Sequence, residues 1–316
     1  MYNYLIYMVL SLAGFLMILL IVLVGVAFLT LLERKFLGYI QLRKGPNKVG
    51  FMGILQPFSD AVKLFNKEVF VIYKSSHYLF YICPVLLFLM MMCNWLFIPV
   101  ITNIYFMNYS LLLIIVILTL MGYVFILMGW SSNSIYSIMG AIRALAQTIS
   151  YEVSFILIIL VLMILSESYS IGDFLKWQLN ISYMIMLFPL FIIFFISILA
   201  ELNRSPMDFI EGESELVSGF NVEYFSGGFA LIFLAEYGMI IFFSYLVVLM
   251  FMGLWGYMFM FISLNMTLLL IIFLRGMLPR MRYDELMYLC WKIMLPFILG
   301  YSMFILGFKF MCMILV

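Results

Sequence analysis

Residues 5–32 run without one charged side chain, and seven further apolar stretches follow near 80–101, 110–129, 145–165, 182–200, 227–250, 256–274 and 292–315. Stretches of this length constrain a fold more tightly than any motif, because roughly 20 apolar residues in a helix match the hydrocarbon thickness of a bilayer. Within lipid, every backbone N–H and C=O must be satisfied inside the protein, which leaves helices or closed barrels. Barrel strands would read as segments of about 10 residues with alternating polarity, whereas these runs are continuous. The expectation is an all-α integral membrane protein with eight transmembrane helices. Composition agrees: the chain is 67% hydrophobic and 10% charged, against about 25% charged in soluble domains.

Charge distribution sets the orientation. Loops on the cytoplasm-like side of a membrane collect Lys and Arg, and all but two of the sixteen basic residues fall in odd-numbered loops. The exceptions are Lys176, in an even-numbered loop, and Lys309, near the end of the last span, where a long stem can snorkel outward. Residues 33–78, 130–144, 201–226 and 275–291 are therefore expected on one side and both termini on the other. The "MYNY" before the first run has no basic residue and the run exceeds a signal-peptide core, so no cleavable presequence is expected and the mature chain should begin at Met1. With no linker or repeat, residues 1–316 are expected to form a single transmembrane domain.

In the first loop, Phe58, Ala61, Val62 and Phe65 recur at i, i+3, i+4 and i+7, with Ser59, Asp60, Lys63, Asn66 and Lys67 between them. That spacing predicts an amphipathic surface helix lying along the membrane or capping a cavity. Several cofactor classes are excluded. His77 is the only histidine, so no haem can sit between paired histidines, and Cys83, Cys93, Cys290 and Cys312 form no CxxC pair that would begin an iron-sulfur site. The cysteines are expected to be packing residues. "SGGF" at 226–229 is expected to start a helix rather than to cradle phosphate.

Acidic residues gather where they are costly. Glu152 lies nine residues beyond Arg143, about 13 Å deeper along a helix, and Glu236 lies nine residues past Gly227. An ionised carboxylate at mid-span costs about 2.5 to 3.5 kcal/mol on insertion scales, so such residues face a bundle interior and are usually functional. Glu201 then leads into a loop with Asp208, Glu211, Glu213, Glu215 and Glu223, where Arg204 is the one basic residue. Carboxylates confined together cannot all ionise and titrate as a coupled group. A row of partly protonated acids leading toward Glu152 and Glu236 is what a proton relay requires.

The stretches "LLERKFLGYIQLRKGPNKVG", "QPFSDAVKLF", "GWSSNSIYSIMGAIRALAQTISYEVS", "EGESELVSGFNVEYFSGGFALIFLAEY" and "LPRMRYDELMYLCWK" carry a resemblance. The chain resembles the family of first mitochondrially encoded membrane subunits of respiratory complex I, the NADH:ubiquinone oxidoreductase, of arthropod type. The resemblance implies eight transmembrane helices in the mitochondrial inner membrane, basic loops on the matrix side and termini in the intermembrane space. It implies a ubiquinone-access tunnel associated with Glu33, Arg34, Asp60 and Arg275. It also implies an acidic channel at Glu152, Glu201 and Glu236, linked to the quinone site by Asp208, Glu211, Glu213, Glu215 and Glu223, with Arg143 and Arg204 as supporting basic residues. Ubiquinone would be the substrate and no redox cofactor would sit on this chain, the iron-sulfur clusters and FMN belonging to partner subunits of the peripheral arm. Partners would be those subunits, neighbouring membrane subunits and lipid, with no nucleic acid. Leu202, Ser205, Met207 and Ile210 depart from the family's usual Thr, Thr, Phe and small residue. The abundance of Met (28), Phe (33) and Tyr (21) fits an AT-rich organelle gene.

Three other functions were weighed. A stand-alone proton antiporter would show paired broken helices in two related halves, and none is evident. An inert scaffold leaves Glu152 and Glu236 unexplained, and a cytochrome fails for want of histidine.

Overall fold

A computed structural model describes residues 2–70, 72–97, 107–179, 181–208, 219–253 and 257–315. Among these, every regular element is helical. Seven helices are long and apolar enough to cross a membrane: Ile6–Ile40, His77–Phe97, Ser110–Ser132, Ile135–Ser166, Ser226–Met252, Met258–Met277 and Tyr283–Ile314. The elements are numbered α1 (Tyr2–Ile40), α2 (Gln56–Phe65), α3 (His77–Asn94), α4 (Ser110–Ser132), α5 (Ile135–Ser166), α6 (Ile171–Trp177), α7 (Tyr183–Met186), α8 (Phe188–Glu201), α9 (Ser226–Val247), α10 (Tyr257–Met277), α11 (Tyr283–Tyr288) and α12 (Leu295–Leu315).

The fifth expected span, 182–200, departs from expectation. It is divided at Leu187, whose backbone (φ −119°, ψ 39°) is not helical, into the four-residue α7 and the fourteen-residue α8. Pro189 accounts for the break: its ring carries no N–H to bond the carbonyl four residues back and clashes with it, so a helix starts there rather than passing through. Alone, α8 is about 21 Å long, short of a bilayer's hydrocarbon core. Other ends also differ. Helix α1 continues two turns past 32, α5 begins ten residues before 145, and the last span begins at Tyr283 rather than 292.

Helix α5, about 48 Å long, is the centre of the bundle. It packs against α4, α8 and α12, while α4 lies on α3, α3 on α9, and α9 on α1 and α10. Phe155 of α5 stacks on Phe194 of α8 (centroids 5.2 Å) and meets Phe243 of α9 edge-on (6.1 Å). Small residues let the backbones approach: a Cβ at Gly129 of α4 would lie 2.3 Å from Ala141 Cβ of α5. Outward faces remain apolar and exposed, as at Leu16, Leu20 and Val24 of α1. Cys83 and Cys290 are buried packing residues, as expected, whereas Cys312 is exposed on the outer face of α12.

Two π-helical turns, Val248–Met252 and Leu289–Met294, interrupt the regular ladder. Gln178 Nε2 donates to the carbonyls of Leu249 and Met250 in the first turn (3.1 and 3.0 Å), and Tyr151 Oη donates to Leu286 O beside the second (3.1 Å). Backbone groups that a π-turn leaves without intrahelical partners thus find side chains, which burial in an apolar bundle requires.

Loop contacts sort the connections into two ends. At one end Ser76 N–H donates to Ser131 O (3.0 Å), Asn133 Nδ2 to Lys74 O (3.1 Å), Ser226 Oγ to Lys67 O (2.8 Å) and Met281 N–H to Pro206 O (3.0 Å). These bonds tie the first, third, fifth and seventh loops together. At the other end Leu111 N–H donates to Tyr169 O, Ile171 N–H to Ser110 Oγ, and Lys309 pairs with Glu167 (2.7 Å) and with the carbonyl of Ile164. Lys309 therefore turns inward onto the C-terminal carbonyls of α5 instead of snorkelling outward, a favourable end of the helix for a cation.

The expected first-loop helix is α2. Phe58, Val62 and Phe65 are 47, 59 and 62% exposed, so its apolar face is left uncovered among the described residues. Phe28 of α1 meets Phe58 edge-on (6.1 Å), and Ser226 Oγ bonds Leu64 O near the end of α2 and Lys67 O just beyond it, anchoring it across the start of α9.

Candidate functional site

Three cavities follow one another from the loop-rich basic end into the bundle. The first lies among α1, α9 and α10 and is lined by Leu29, Glu33, Arg204, Tyr237, Ile240, Ile271, Ile272 and Arg275. Glu33 stands about 10 Å before the end of α1 with its side chain 7% exposed. It is held by an ion pair with Arg275 of α10 and by a hydrogen bond from Tyr237 Oη of α9 (2.6 Å). Three helices thus converge on one carboxylate. Arg204 completes the wall, its guanidinium 4.6 Å from the centre of the Tyr237 ring, a cation–π contact whose value rises when water is excluded.

Arg204 also leads to the second cavity. Its Nη2 lies 3.7 Å from Glu236 Oε2, with side chains 8 and 15% exposed. Glu236, one residue before Tyr237, points round the helix into a cavity lined by Leu87, Leu118, Met121, Phe125, Glu201, Leu202, Asn203, Phe220, Glu236 and Met239. Glu201 stands on the far wall. It also lines the third cavity, with Glu152, Thr119 and the apolar Ile115, Leu118, Phe155 and Ile156. The polar sequence is therefore Arg275, Glu33, Tyr237, Arg204, Glu236, Glu201, Glu152. Its first half sets one acid, Glu33, among two arginines and a hydroxyl, and three carboxylates complete it. Paired charges are what burial demands at the first half.

Local structure fixes the end of α8, where Glu201 sits. Gln147 of α5, fully buried, donates from Nε2 to Ala200 O and Met207 O (both 2.8 Å). One amide thereby pins the last turn of α8 and the loop that follows. Asp208, also buried, pairs with Arg280 Nη2 (3.3 Å), and Met281 N–H bonds Pro206 O.

The residues singled out from sequence separate into groups. Glu33 and Arg275 are brought together, but with Tyr237 and Arg204 rather than with Arg34 and Asp60. Those two form their own, more exposed pair at 2.5 Å, with Gln56 Nε2 donating to Asp60 (3.0 Å). Glu152, Glu201 and Glu236 share two adjoining cavities. Arg143 is half-buried one turn before Gln147, and Glu223 is half-buried beside Tyr224; neither contributes to the three linings. Glu211, Glu213 and Glu215 lie outside the described residues. Sequence reasoning passed over Tyr237, Gln147, Arg280 and Asn203. A signal existed for Gln147, an amide on the helical face of the small residues Ala144, Ser150 and Ser154; for Arg280, whose partner is 72 residues away, there was none.

Comparison with known proteins decides the family. A family model described as NADH dehydrogenase matches residues 13–306. The chain belongs to the NADH dehydrogenase family. Among its relatives, the NADH-ubiquinone oxidoreductase chain 1 of Aedes aegypti is 51% identical over 302 residues, covering 95% of this chain and 96% of that protein. The protein of the same name from Locusta migratoria is 50% identical, covering 94% and 95%, and that of Apis mellifera ligustica is 46% identical, covering 95% and 99%. This NADH dehydrogenase family member matches them nearly end to end, through every helix that lines the cavities.

Proposed function

We propose that this chain is the chain-1 membrane subunit of an arthropod mitochondrial NADH-ubiquinone oxidoreductase, and that it couples ubiquinone reduction to proton translocation. The supporting observation is the polar sequence from Arg275 to Glu152 along three cavities, the first linked to the second by the Arg204–Glu236 pair and the second to the third by Glu201. The relatives' printed name supplies the reaction. In this reading α7 and α8 together, about 28 Å end to end, form the eighth crossing, α2 lies at the membrane surface, the basic end faces the matrix and both termini face the intermembrane space.

Ubiquinone enters beside Arg34, Asp60 and the first cavity, whose aliphatic wall suits an isoprenoid substrate while Glu33, Tyr237 and Arg275 present the polar groups that orient a headgroup. In the assembled complex, iron-sulfur clusters and FMN held by partner subunits would supply the electrons. Reduction of the quinone draws protons and changes the charge near Glu33. That change reaches Glu236 through Arg204, which contacts both the first cavity and Glu236 and stays charged throughout. Glu236, Glu201 and Glu152 then exchange protons in order, assisted on the loop side by Asp208, Glu211, Glu213, Glu215 and Glu223, with Arg143 as a further basic support.

The test is Glu152→Gln, which keeps size and hydrogen bonding but cannot release a proton. The complex should assemble, by native gel, while quinone-dependent NADH oxidation coupled to proton translocation in sealed vesicles falls about 10²-fold. Normal turnover with a normal proton-to-electron ratio would remove Glu152 from the relay.

A further inference from the structure

The cavity between Glu236 and Glu201 has a third oxygen-bearing side chain that the relay described above leaves unused. Asn203 lines it with both glutamates, and its Oδ1 is buried and accepts no hydrogen bond from any described residue. The remaining lining side chains, Leu87, Leu118, Met121, Leu202, Phe125, Phe220 and Met239, offer no N–H or O–H donor.

A backbone explanation covers only half of this. Asn203 has φ +51° and its N–H donates to Ala200 O (3.2 Å), closing α8 with a left-handed residue. Asn and Gly are the residues that adopt this conformation readily. Such a cap needs no carboxamide in a cavity wall, and glycine would serve it without a buried acceptor. An unpaired buried oxygen is costly, and a cavity with several polar wall groups and room for water is where that cost is relieved by a bound water.

We propose that Asn203 is a positioning residue for proton transfer, its Oδ1 holding a water between the carboxyls of Glu236 and Glu201. The inference rests on the relay reading of those two glutamates. A protonated glutamic acid gives its proton to the water and becomes carboxylate. The resulting hydronium has three O–H donors, and three acceptors surround it: the two glutamates and Asn203 Oδ1. Loss of one proton to the other glutamate restores the water, so charge and atoms balance with no further reactant. The amide, which does not titrate, fixes the orientation of the water without competing for the proton.

Two substitutions separate the cap from the water site. Asn203→Gly keeps the left-handed backbone and removes the acceptor, whereas Asn203→Asp keeps both. In the intact complex, Asn203→Gly should assemble normally and lose at least about tenfold in coupled turnover, and Asn203→Asp, which keeps the acceptor but adds a carboxyl that competes for the proton, should lose less and gain a pH dependence of turnover that the parent lacks. Equal, normal turnover and proton-to-electron ratio in both variants would overturn the proposal, and so would equal loss in both. Glu236→Gln measured alongside distinguishes the two readings. If it pumps normally, the relay itself fails; if it is impaired while Asn203→Gly is normal, only the role of Asn203 fails. Should Asn203→Gly not assemble, the density of the parent complex decides. A water within about 3.2 Å of Oδ1 is expected there, and a protein donor or a dry apolar contact in that place would refute the assignment.

Discussion

Arg34 and Arg204 each face a carboxylate, and the same residue type serves two different ends. Arg34 is 51% exposed and its partner Asp60 32%, so water screens the pair and its contribution to stability is about 0 to 1 kcal/mol. Arg204 is 8% exposed between Glu236 and the Tyr237 ring, where removing one partner of a buried ion pair costs about 3 to 5 kcal/mol. Arg34→Ala should therefore leave the complex assembled and raise the apparent KM for a short-chain quinone. Arg204→Gln should lower the amount of assembled complex itself, because Glu236 is left as an uncompensated buried charge. Native gels read the first difference and quinone titrations the second; equal assembly of both variants would contradict the contrast.

At the scale of elements, the cavities depend on how closely α5 approaches its neighbours. A Cβ at Gly140 would lie 3.0 Å from Gly219 Cα and 3.0 Å from Phe220 N, backbone atoms of the turn Gly219–Asn221. Phe220 lines the cavity between Glu236 and Glu201. Gly140→Ala must therefore move that turn by a few tenths of an ångström, and overpacking of this kind costs about 1 to 3 kcal/mol. The variant should show a lower thermal midpoint of the assembled complex and slower coupled turnover, with Gly227→Ala, where an added Cβ meets nothing within 4 Å, as the control. A Gly140→Ala complex as stable as the control would show that α5 and the turn have slack the distances deny.

Across the whole molecule, the two sets of loops meet at opposite ends, and basic residues crowd one of them. Cysteines introduced at Lys48, Lys67 and Arg282 should react with an impermeant thiol reagent from the same face of inner-membrane vesicles, and one at Lys176 from the opposite face. Lys48 and Arg282 labelled from different faces would break the proposed topology, including the proposal that α7 and α8 together make a crossing.

The periodicity and length of its apolar runs determined that this protein is a helical bundle in a membrane, and the bias of Lys and Arg determined which loops share an end. Those are properties of single segments against lipid, so one segment at a time is enough to see them. Glu152 and Glu236 were visible for the same reason, since a carboxylate deep in an apolar run has few inexpensive places to go. Tertiary structure alone decided the partners. Glu33 pairs with Arg275 across 242 positions and with Tyr237 across 204, while its neighbour Arg34, one residue on, turns about 100° round α1 to a different carboxylate. Gln147 and Asn203 matter through the carbonyls and cavity that packing brings to them. Which buried group faces which depends on helix rotation and close approach, and these follow from the summed packing of the bundle, which no single segment records.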